Sequence, residues 1–535
     1  MPPEASSKHR RYRPTFVASD VISSWAMPRK RCVAAVIVAL VASCAGGCGR
    51  IWYERLTRDA AVDATRPDGA PVDATFDGAR QDGTSRDAAV DGAAVDAAMD
   101  AGCDPGSCAL PAWRWDRAFG SSSDDEGRGM AVDGAGNAVV TGLFTGTVDL
   151  GGGTRTSAGA RGVFVVSYGP DGRWRWDRSF GDGVGTAIAV DDAGNAVVTG
   201  FFNGTMDLGG GTRTSAGGSD VFVVSYGPDG SWRWDRSFGG VAFDAGRGLT
   251  VDGAGNAVVT GSFQGTADFG GGVRTSAGDA DAFVVSYDPD GSWRWDRSFG
   301  GASFDQGHDV AVDGDGNVVV TGGFEGVVEL GGGARTSTGL DDVFVASYGP
   351  DGSWRWDRTF GSTSDHGHGV AVDGAGNAVV TGRFAGTVDL GGGARTGVGG
   401  ADVFIASYGP DGEWRWDRTL GSASGDGAWG VAVDGAGNAV VTGQFEGTMD
   451  LGGGARTSAS GLDAFVASYG PDGSWRWDRT FGGGAFDRAF GVAMDVAGNA
   501  VVTGLFEGTL DLGGGARTSA GGTDVFVLQL GCACP

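Results

Sequence analysis

Lysine is nearly absent from this sequence. Lys8 and Lys30 are its two copies in 535 residues. A chain with no lysine after residue 30 has no P-loop, whose lysine contacts the phosphates of a bound nucleotide. The Gly-Xaa-Ser-Xaa-Gly motif of serine hydrolases and the His-Glu-Xaa-Xaa-His motif of zinc peptidases are also missing. With a formal net charge of −26, the protein repels nucleic acid, which we exclude as a partner.

A long hydrophobic run is missing as well. The apolar stretch at residues 33–42 is too short to span a bilayer. Basic residues at 28–31 precede it, and this arrangement is typical of a signal peptide. Met27 opens that segment directly. We therefore predict a signal at residues 27–43, and we interpret residues 1–26 as an incorrectly assigned start that precedes the true protein.

Residues 41–44, Val-Ala-Ser-Cys, resemble the bacterial lipobox. The resemblance implies cleavage before Cys44, a lipid on that cysteine and attachment to the lipid bilayer. Cys48 is the alternative lipidation site, and an ordinary cleaved secretory signal is the second alternative. Because Asp follows neither cysteine, lipoprotein sorting rules imply the outer membrane, on either its periplasmic side or the cell surface.

Residues 44–108 combine the expected anchor with a segment of Asp, Ala and Gly. Such a composition cannot bury a hydrophobic core, so we predict a disordered acidic tether. Similar stalks behind a lipobox occur in lipoproteins of myxobacteria, and the scarcity of lysine fits that resemblance.

The pentapeptide Trp-Arg-Trp-Asp-Arg recurs at intervals of 58 to 61 residues. Its copies begin at Trp113, Trp174, Trp232, Trp293, Trp354, Trp414 and Trp475. Each unit contains four short β-branched or aromatic runs between turn residues, which indicates four antiparallel strands. Radial repetition of such a sheet gives an all-β, seven-bladed β-propeller, predicted here at residues 109–531, with a short glycine-rich hairpin inserted in every blade and a Cys-containing tail at 532–535. We expect a monomer.

The repeat resembles the bacterial SBBP β-propeller repeat. The resemblance rests on residues 125–127, 131–133, 136–137 and 140–142 and their counterparts, and it extends from residue 113 to about residue 530. It implies the propeller fold and says almost nothing about activity, because the family is defined by its repeat. The glycine-rich hairpin departs from that family pattern.

The two ends of the propeller are expected to complete one blade. The chain enters on a Trp-Arg-Trp strand that has no preceding partner, and it leaves on residues 525–528 with no Trp-Arg-Trp strand after them. Cys103 and Cys108 precede the first strand, and Cys532 and Cys534 follow the last. We predict two disulfides between these pairs; local bonds within each pair are the alternative.

One position in each repeat changes from blade to blade, although its surroundings are repeated. It stands three residues before the Ala of Ala-Val-Asp, in a predicted loop at the mouth of the central channel. It is occupied by Arg128, Thr186, Arg247, His308, His368, Trp429 and Phe490. Such variation is typical of a ring that recognises an asymmetric ligand, here a protein or a glycan; an unconstrained loop position is the alternative.

An aspartate stands three residues earlier in six blades. These residues are Asp125, Asp244, Asp305, Asp365, Asp426 and Asp487. They are candidates for Ca²⁺ ligands, with capping of their own loops as the alternative. We also expect the hairpin acids, such as Asp389, to pair with the arginine six residues later, and both tryptophans of each pentapeptide to share one face of the strand.

These features favour a non-catalytic binding or interaction scaffold at the cell envelope. A purely structural envelope protein is one alternative, and a polysaccharide hydrolase or lyase is another. The only non-repeating group of side chains that is typical of catalysis is the trio His308, His366 and His368. We expect no cofactor apart from the calcium ion considered above.

Overall fold

In the computed structural model, residues 111–484 and 486–532 are described, without the side chain of Cys532. Predictions for residues 1–110 lie outside this range, as do those for Cys534. They comprise the signal, the anchor at Cys44 or Cys48, the stalk, and the disulfide partners Cys103 and Cys108. Among the described residues, no helix has the length and apolar character needed to cross a membrane.

The described residues form seven four-stranded antiparallel sheets, which confirms the predicted seven-bladed propeller. We number the blades 1 to 7 along the chain and label their strands A to D from the channel outward. Each strand A contacts the strands A of both neighbouring blades, so these seven strands close a ring around the channel.

The first four blades each use one continuous segment. Strands A to D are Glu126–Val132, Ala138–Phe144, Gly162–Tyr168 and Trp174–Phe180 in blade 1; Asp182–Val190, Ala196–Asn203, Asp220–Tyr226 and Trp232–Phe238 in blade 2; Ala245–Val251, Ala257–Asp268, Val273–Tyr287 and Trp293–Phe299 in blade 3; and Gln306–Val312, Val318–Phe324, Asp342–Tyr348 and Trp354–Phe360 in blade 4.

The last three blades follow the same order. Strands A to D are His366–Val372, Ala378–Asp389, Ala394–Tyr408 and Trp414–Leu420 in blade 5; Gly427–Val433, Ala439–Asp450, Ala455–Tyr469 and Trp475–Phe481 in blade 6; and Arg488–Met494, Ala500–Asp511, Ala516–Cys532 and Pro111–Phe119 in blade 7.

The glycine-rich hairpin lies between strands B and C of every blade. In blades 3, 5, 6 and 7 it extends these strands, whereas elsewhere it forms separate short strands. The separate pairs are Thr147–Asp149 with Thr154–Thr156, Thr205–Asp207 with Thr212–Thr214, and Val327–Glu329 with Ala334–Thr336.

The hydrophobic core lies between adjacent blades. Val343 and Val345 of blade 4 pack with Val380 and Phe404 of blade 5, and equivalent clusters recur around the ring. The apolar runs of strands B and C are buried on both faces, as this packing requires. Strand B also needs a glycine: a Cβ on Gly382 would lie 1.9 Å from the carbonyl oxygen of His366.

A β-bulge interrupts strand D in every blade. In blade 5, Tyr408 pairs with Trp414 and Ser407 pairs with Trp416, so Arg415 is the extra residue. As a result, Trp416 is buried and donates from Nε1 to the carbonyl of Pro471 in blade 6, whereas Trp414 remains 41% exposed. The prediction that both tryptophans share one face was wrong because the bulge reverses the alternation.

The hairpin acids and arginines do not pair as predicted. In blade 5 the Oδ1 atom of Asp389 accepts the backbone N–H groups of Gly391 and Gly393 and so fixes the triple-glycine turn. Arg395 instead donates from Nε to Asp417 in strand D, at 2.6 Å. Asp417 also accepts from Nε1 of Trp414, so this network attaches the hairpin to the outer edge of its blade.

Blade 7 closes the ring as predicted. Its strand D is the first described strand of the chain, and it pairs antiparallel with strand C from Pro111 opposite Cys532 to Phe119 opposite Val525. The closure brings Arg517 of the last hairpin to Asp116 of the first strand, at 2.6 Å. The two ends of the described chain are therefore held by the same hairpin network as the other blades.

Candidate functional site

The seven variable residues occupy a β-bulge within each strand A. In blade 5, Gly367 pairs with Gly382 and Gly369 pairs with Thr381, which leaves His368 as the extra residue between them. Five of the other strands A have the same shift at the same position, and in blade 7 the irregularity spans Phe490 and Gly491 opposite Thr503. The predicted loop was therefore wrong in its local structure, since the variable residue belongs to the innermost strand. A bulge frees that residue from the regular pattern of the sheet.

All seven side chains come together in the central channel. They line one cavity of about 450 Å³, together with Ala and Val residues that follow them along strand A. Each of the seven is half-buried. The structure thus assembles every residue of the predicted ring, which we call the channel ring, around a single space.

Four aromatic rings of the channel ring form a continuous arc across blades 4 to 7. The ring centroids of His308 and His368 are 5.1 Å apart, and those of His368 and Trp429 are 4.4 Å apart. Phe490 ends the arc with its ring centroid 5.7 Å from that of Trp429. Trp429 is fixed in place by donation from its Nε1 atom to Gln444 at 3.1 Å. One half of the cavity wall is therefore aromatic.

The other half, from blades 1 to 3, is polar and carries positive charge. Arg128 pairs with Glu126 at 2.7 Å, and the Thr186 hydroxyl donates to the carbonyl of Gly246 at 2.8 Å. Arg247 has no hydrogen-bond or ion-pair partner among the described residues, and its Nε atom is buried. Burial, and then the charge of Arg128, lower the pKa of Arg247 to about 10.

His366 joins His308 and His368 beside the channel. It lies opposite Arg383 in strand B, with Nε2 3.6 Å from Oδ2 of Asp341. Burial, reinforced by nearby arginines, lowers the pKa of His366 to about 4. The same causes hold the pKa values of His308 and His368 well below the usual range, so all three imidazoles are neutral at pH 7.

These histidines leave buried nitrogen atoms without partners. Nε2 of His308, Nε2 of His368 and Nδ1 of His366 make no hydrogen bond within the described part of the chain. Even so, no group of three or more His, Cys, Asp or Glu side chains in the described ranges is placed to hold a metal ion. The trio therefore lacks the geometry of a preformed metal centre.

The six predicted aspartates act as loop caps. Asp305, for example, accepts the backbone N–H of Gly301 at Oδ2 and that of Glu325 at Oδ1, and burial raises its pKa to about 7. Both carboxylate oxygens are thus occupied by backbone groups, as capping requires. Equivalent contacts are made by Asp125, Asp244, Asp365, Asp426 and Asp487. The structure favours capping over calcium binding for all six.

Sequence reasoning missed two charged residues at the site. Asp309 follows His308 where the other blades have Gly or Ala, and its carboxylate accepts the backbone N–H of Val370 from blade 5 at 2.9 Å. Burial raises the pKa of Asp309 to about 7. Arg383 occupies a strand B position that is uncharged in the other repeats. Both residues break the repeat, and a comparison of every repeat column would have identified them.

No family model matches the chain. An uncharacterised WD repeat-containing protein of Acanthamoeba polyphaga mimivirus is 22% identical over 510 residues, which cover 73% of this chain. The chain spans 36% of the length of that relative.

Three solved structures are similar to this chain at low identity. They are the Dos1 propeller (7% identity, 79% of this chain and 96% of that chain, TM-score 0.41), a gluconolactonase from Xanthomonas campestris (16%, 65% and 87%, TM-score 0.32) and a protein of unknown function from Bacteroides caccae (9%, 59% and 89%, TM-score 0.32). The seven repeated four-stranded blades themselves show a β-propeller built of repeats, and a WD repeat-containing protein is among the relatives at low identity.

Proposed function

We propose that this protein is a non-catalytic binding module that holds a protein segment or a glycan in the mouth of its channel. The observation that carries the proposal is the channel ring: seven non-repeating side chains converge on one cavity of about 450 Å³ in an otherwise repetitive molecule. That volume lies within the range of about 300 to 1,000 Å³ that is usual for ligand pockets.

The two halves of the ring support recognition of an asymmetric ligand. The aromatic arc offers flat apolar surfaces, while Arg247 offers a cation with no partner among the described residues. The buried Nε atom of Arg247 has no hydrogen-bond partner among the described residues, which costs free energy, and its retention favours a functional role.

Binding assays on single variants of the ring test this proposal. We would screen the protein against glycan arrays and peptide libraries, with Arg128, Arg247, His368 and Trp429 changed to Ala one at a time. Arg173→Ala is the matched control, because the side chain of Arg173 is 86% exposed and lies outside the ring. We expect a reproducible ligand whose binding is lost in the ring variants and kept in the control. A ligand that binds equally to all four variants would remove the channel ring as the site.

We further propose that a lipid on Cys44 attaches the module to the outer membrane. The sequence 41–44 and the apolar run before it support this anchor. Metabolic labelling with a fatty acid, followed by detergent phase partition, tests it. Cys44→Ser should abolish labelling, whereas Cys48→Ser should retain it. The reverse result would assign the lipid to Cys48. An absence of labelling in the wild type and in both variants would contradict the lipid anchor.

A further inference from the structure

We propose that the channel ring recognises an oxyanion on a small ligand through Arg247, His308 and His368. The group is a carboxylate, a phosphate or a sulfate, which share the same arrangement of acceptor oxygens. This inference rests on the proposed function, because it names the ligand chemistry that the ring accepts.

Three unpartnered nitrogen atoms, on side chains that line the cavity where its polar and aromatic halves meet, carry the inference. Nε of Arg247 and the Nε2 atoms of His308 and His368 are buried and make no hydrogen bond to the described residues. These side chains come from the consecutive blades 3, 4 and 5 and line the same cavity. A buried polar group without a partner costs about 1 to 3 kcal/mol, so native proteins retain few of them. Three together indicate a site whose missing partner is a ligand.

The charge around these atoms favours an anion over a metal ion. A guanidinium group only donates hydrogen bonds, and a neutral imidazole donates from one of its nitrogen atoms. Arg247 and Arg383 both act electrostatically on His308 and His368, and this positive potential opposes a cation there. None of the seven ring residues is acidic, and the carboxylate of Asp309, which lines the same cavity, already accepts the backbone N–H groups of Val310 and Val370. An oxyanion supplies several acceptors and the opposite charge at once.

The aromatic arc indicates how the rest of the ligand is held. Trp429 and Phe490, from blades 6 and 7, line the same cavity as Arg247 of blade 3. Aromatic side chains bury apolar ring surfaces favourably and fix their orientation. The expected ligand therefore carries its oxyanion on a body of about the size of a sugar, which a cavity of about 450 Å³ accommodates.

Calorimetric titration of the full chain with matched probes tests the inference. The probes are glucuronate, inorganic phosphate and neutral glucose, with sodium chloride added to keep the ionic strength constant. The proteins are wild type, Arg247→Gln and the surface control Arg173→Gln, each checked for an unchanged fold by its circular dichroism spectrum. We expect at least one oxyanion probe to bind wild type and the control, with affinity lowered about tenfold or more in Arg247→Gln, which corresponds to about 1.4 kcal/mol.

The outcomes separate this inference from the proposed function. Binding of glucuronate but not phosphate assigns a carboxylate ligand, and binding of phosphate assigns a phosphate-type group. Three results would contradict the proposal that the ligand carries an oxyanion. They are equal binding of glucose and glucuronate, unchanged affinity in Arg247→Gln, and no binding of either anion at millimolar concentration. If a neutral glycan then binds in a manner that Trp429→Ala abolishes, the channel remains a binding site and only its proposed selectivity is lost.

Discussion

Arg395 donates from Nε to Oδ1 of Asp417 at 2.6 Å, and this contact attaches the hairpin of blade 5 to its outermost strand. Asp417 is buried and also accepts from Nε1 of Trp414, whereas the Arg395 side chain is 42% exposed. The two residues therefore contribute unequally to stability, because loss of the Asp417 carboxylate removes the acceptor of two donors. The same contact recurs in all seven blades.

We expect Asp417→Ala to lower stability by about 2 kcal/mol and Arg395→Ala by less than about 1 kcal/mol, since an exposed ion pair contributes little. Calorimetric melting of both variants and of the double variant measures the difference. If the double variant costs no more than Asp417→Ala alone, the arginine acts only through this aspartate. Equal losses of stability in the two single variants would contradict this prediction.

The bulge in strand D leads to a second prediction. Trp416→Ala removes a buried ring and its hydrogen bond to blade 6, so we expect a loss of about 3 to 5 kcal/mol. Trp414→Ala removes a ring that is 41% exposed, and we expect less than half of that loss. Melting temperatures of the two variants give the comparison. Tryptophans that shared one face would instead show similar costs.

The bulges also mark the limit of what the sequence predicts. The seven copies of the pentapeptide and their turns are sufficient to predict seven blades, four strands in each and closure through Trp113 and its neighbours. Whether a residue alternates with its neighbours depends on the pairing register between two strands, which the sequence of one strand does not contain. For this reason the faces of Trp414 and Trp416, and the partner of Arg395, emerge only in three dimensions.

The channel ring was predictable for a different reason. A position that varies between repeats while its neighbours stay the same can be identified from the sequence without knowing how the strands pair. All seven residues at this position line the cavity. Asp309 and Arg383 were missed because each breaks a different column of the repeat in a single blade. The contact of Asp309 with Val370 follows from the packing of strand A of blade 4 on strand A of blade 5. Arg383 lies opposite His366 because strands A and B of blade 5 pair in that register.

Closure of the ring predicts a sharp difference between two truncated chains. A chain that starts at residue 111 keeps strand D of blade 7, and we expect it to melt near the wild-type temperature. A chain that starts at residue 120 loses that strand and exposes the edge of strand C, with a lower melting temperature and aggregation. Calorimetry and gel filtration distinguish them. Both chains lack Cys103 and Cys108, so a large loss in the longer one would instead indicate that residues 1–110 stabilise the propeller.

The low pKa of His366 predicts a dependence of stability on pH. Its pKa is about 4 in the folded protein and near 6.5 in an unfolded chain, so the unfolded state binds more protons between these values. This contribution to stability is complete above pH 6.5 and is lost as the pH falls toward 4, by about 2 kcal/mol at pH 5 at most.

We therefore expect the change in melting temperature from pH 7 to pH 5 to be more favourable in His366→Gln than in wild type. The comparison must be made between variants, because neighbouring groups titrate in the same range. Burial raises the pKa of Asp341 to about 6, and this carboxyl favours the folded state at lower pH in both proteins. Identical pH responses of the two proteins would show that His366 is already accessible to protons in the folded state.

The unpaired guanidinium of Arg247 predicts a variant that is more stable than the wild type. Arg247→Met keeps most of the side-chain volume and removes a buried donor that has no partner among the described residues. We expect a gain of about 1 kcal/mol, measured as a higher melting temperature in the absence of ligand. Arg128→Met is the control, because Arg128 is paired with Glu126 and its removal leaves a carboxylate without its ion pair. If Arg247 is retained for binding at the expense of stability, the melting temperature should rise only in Arg247→Met, and that variant should also lose ligand binding. If Arg247→Met melts below the wild type, the guanidinium stabilises the fold. The argument that Arg247 is retained for binding despite a cost in stability would then be wrong.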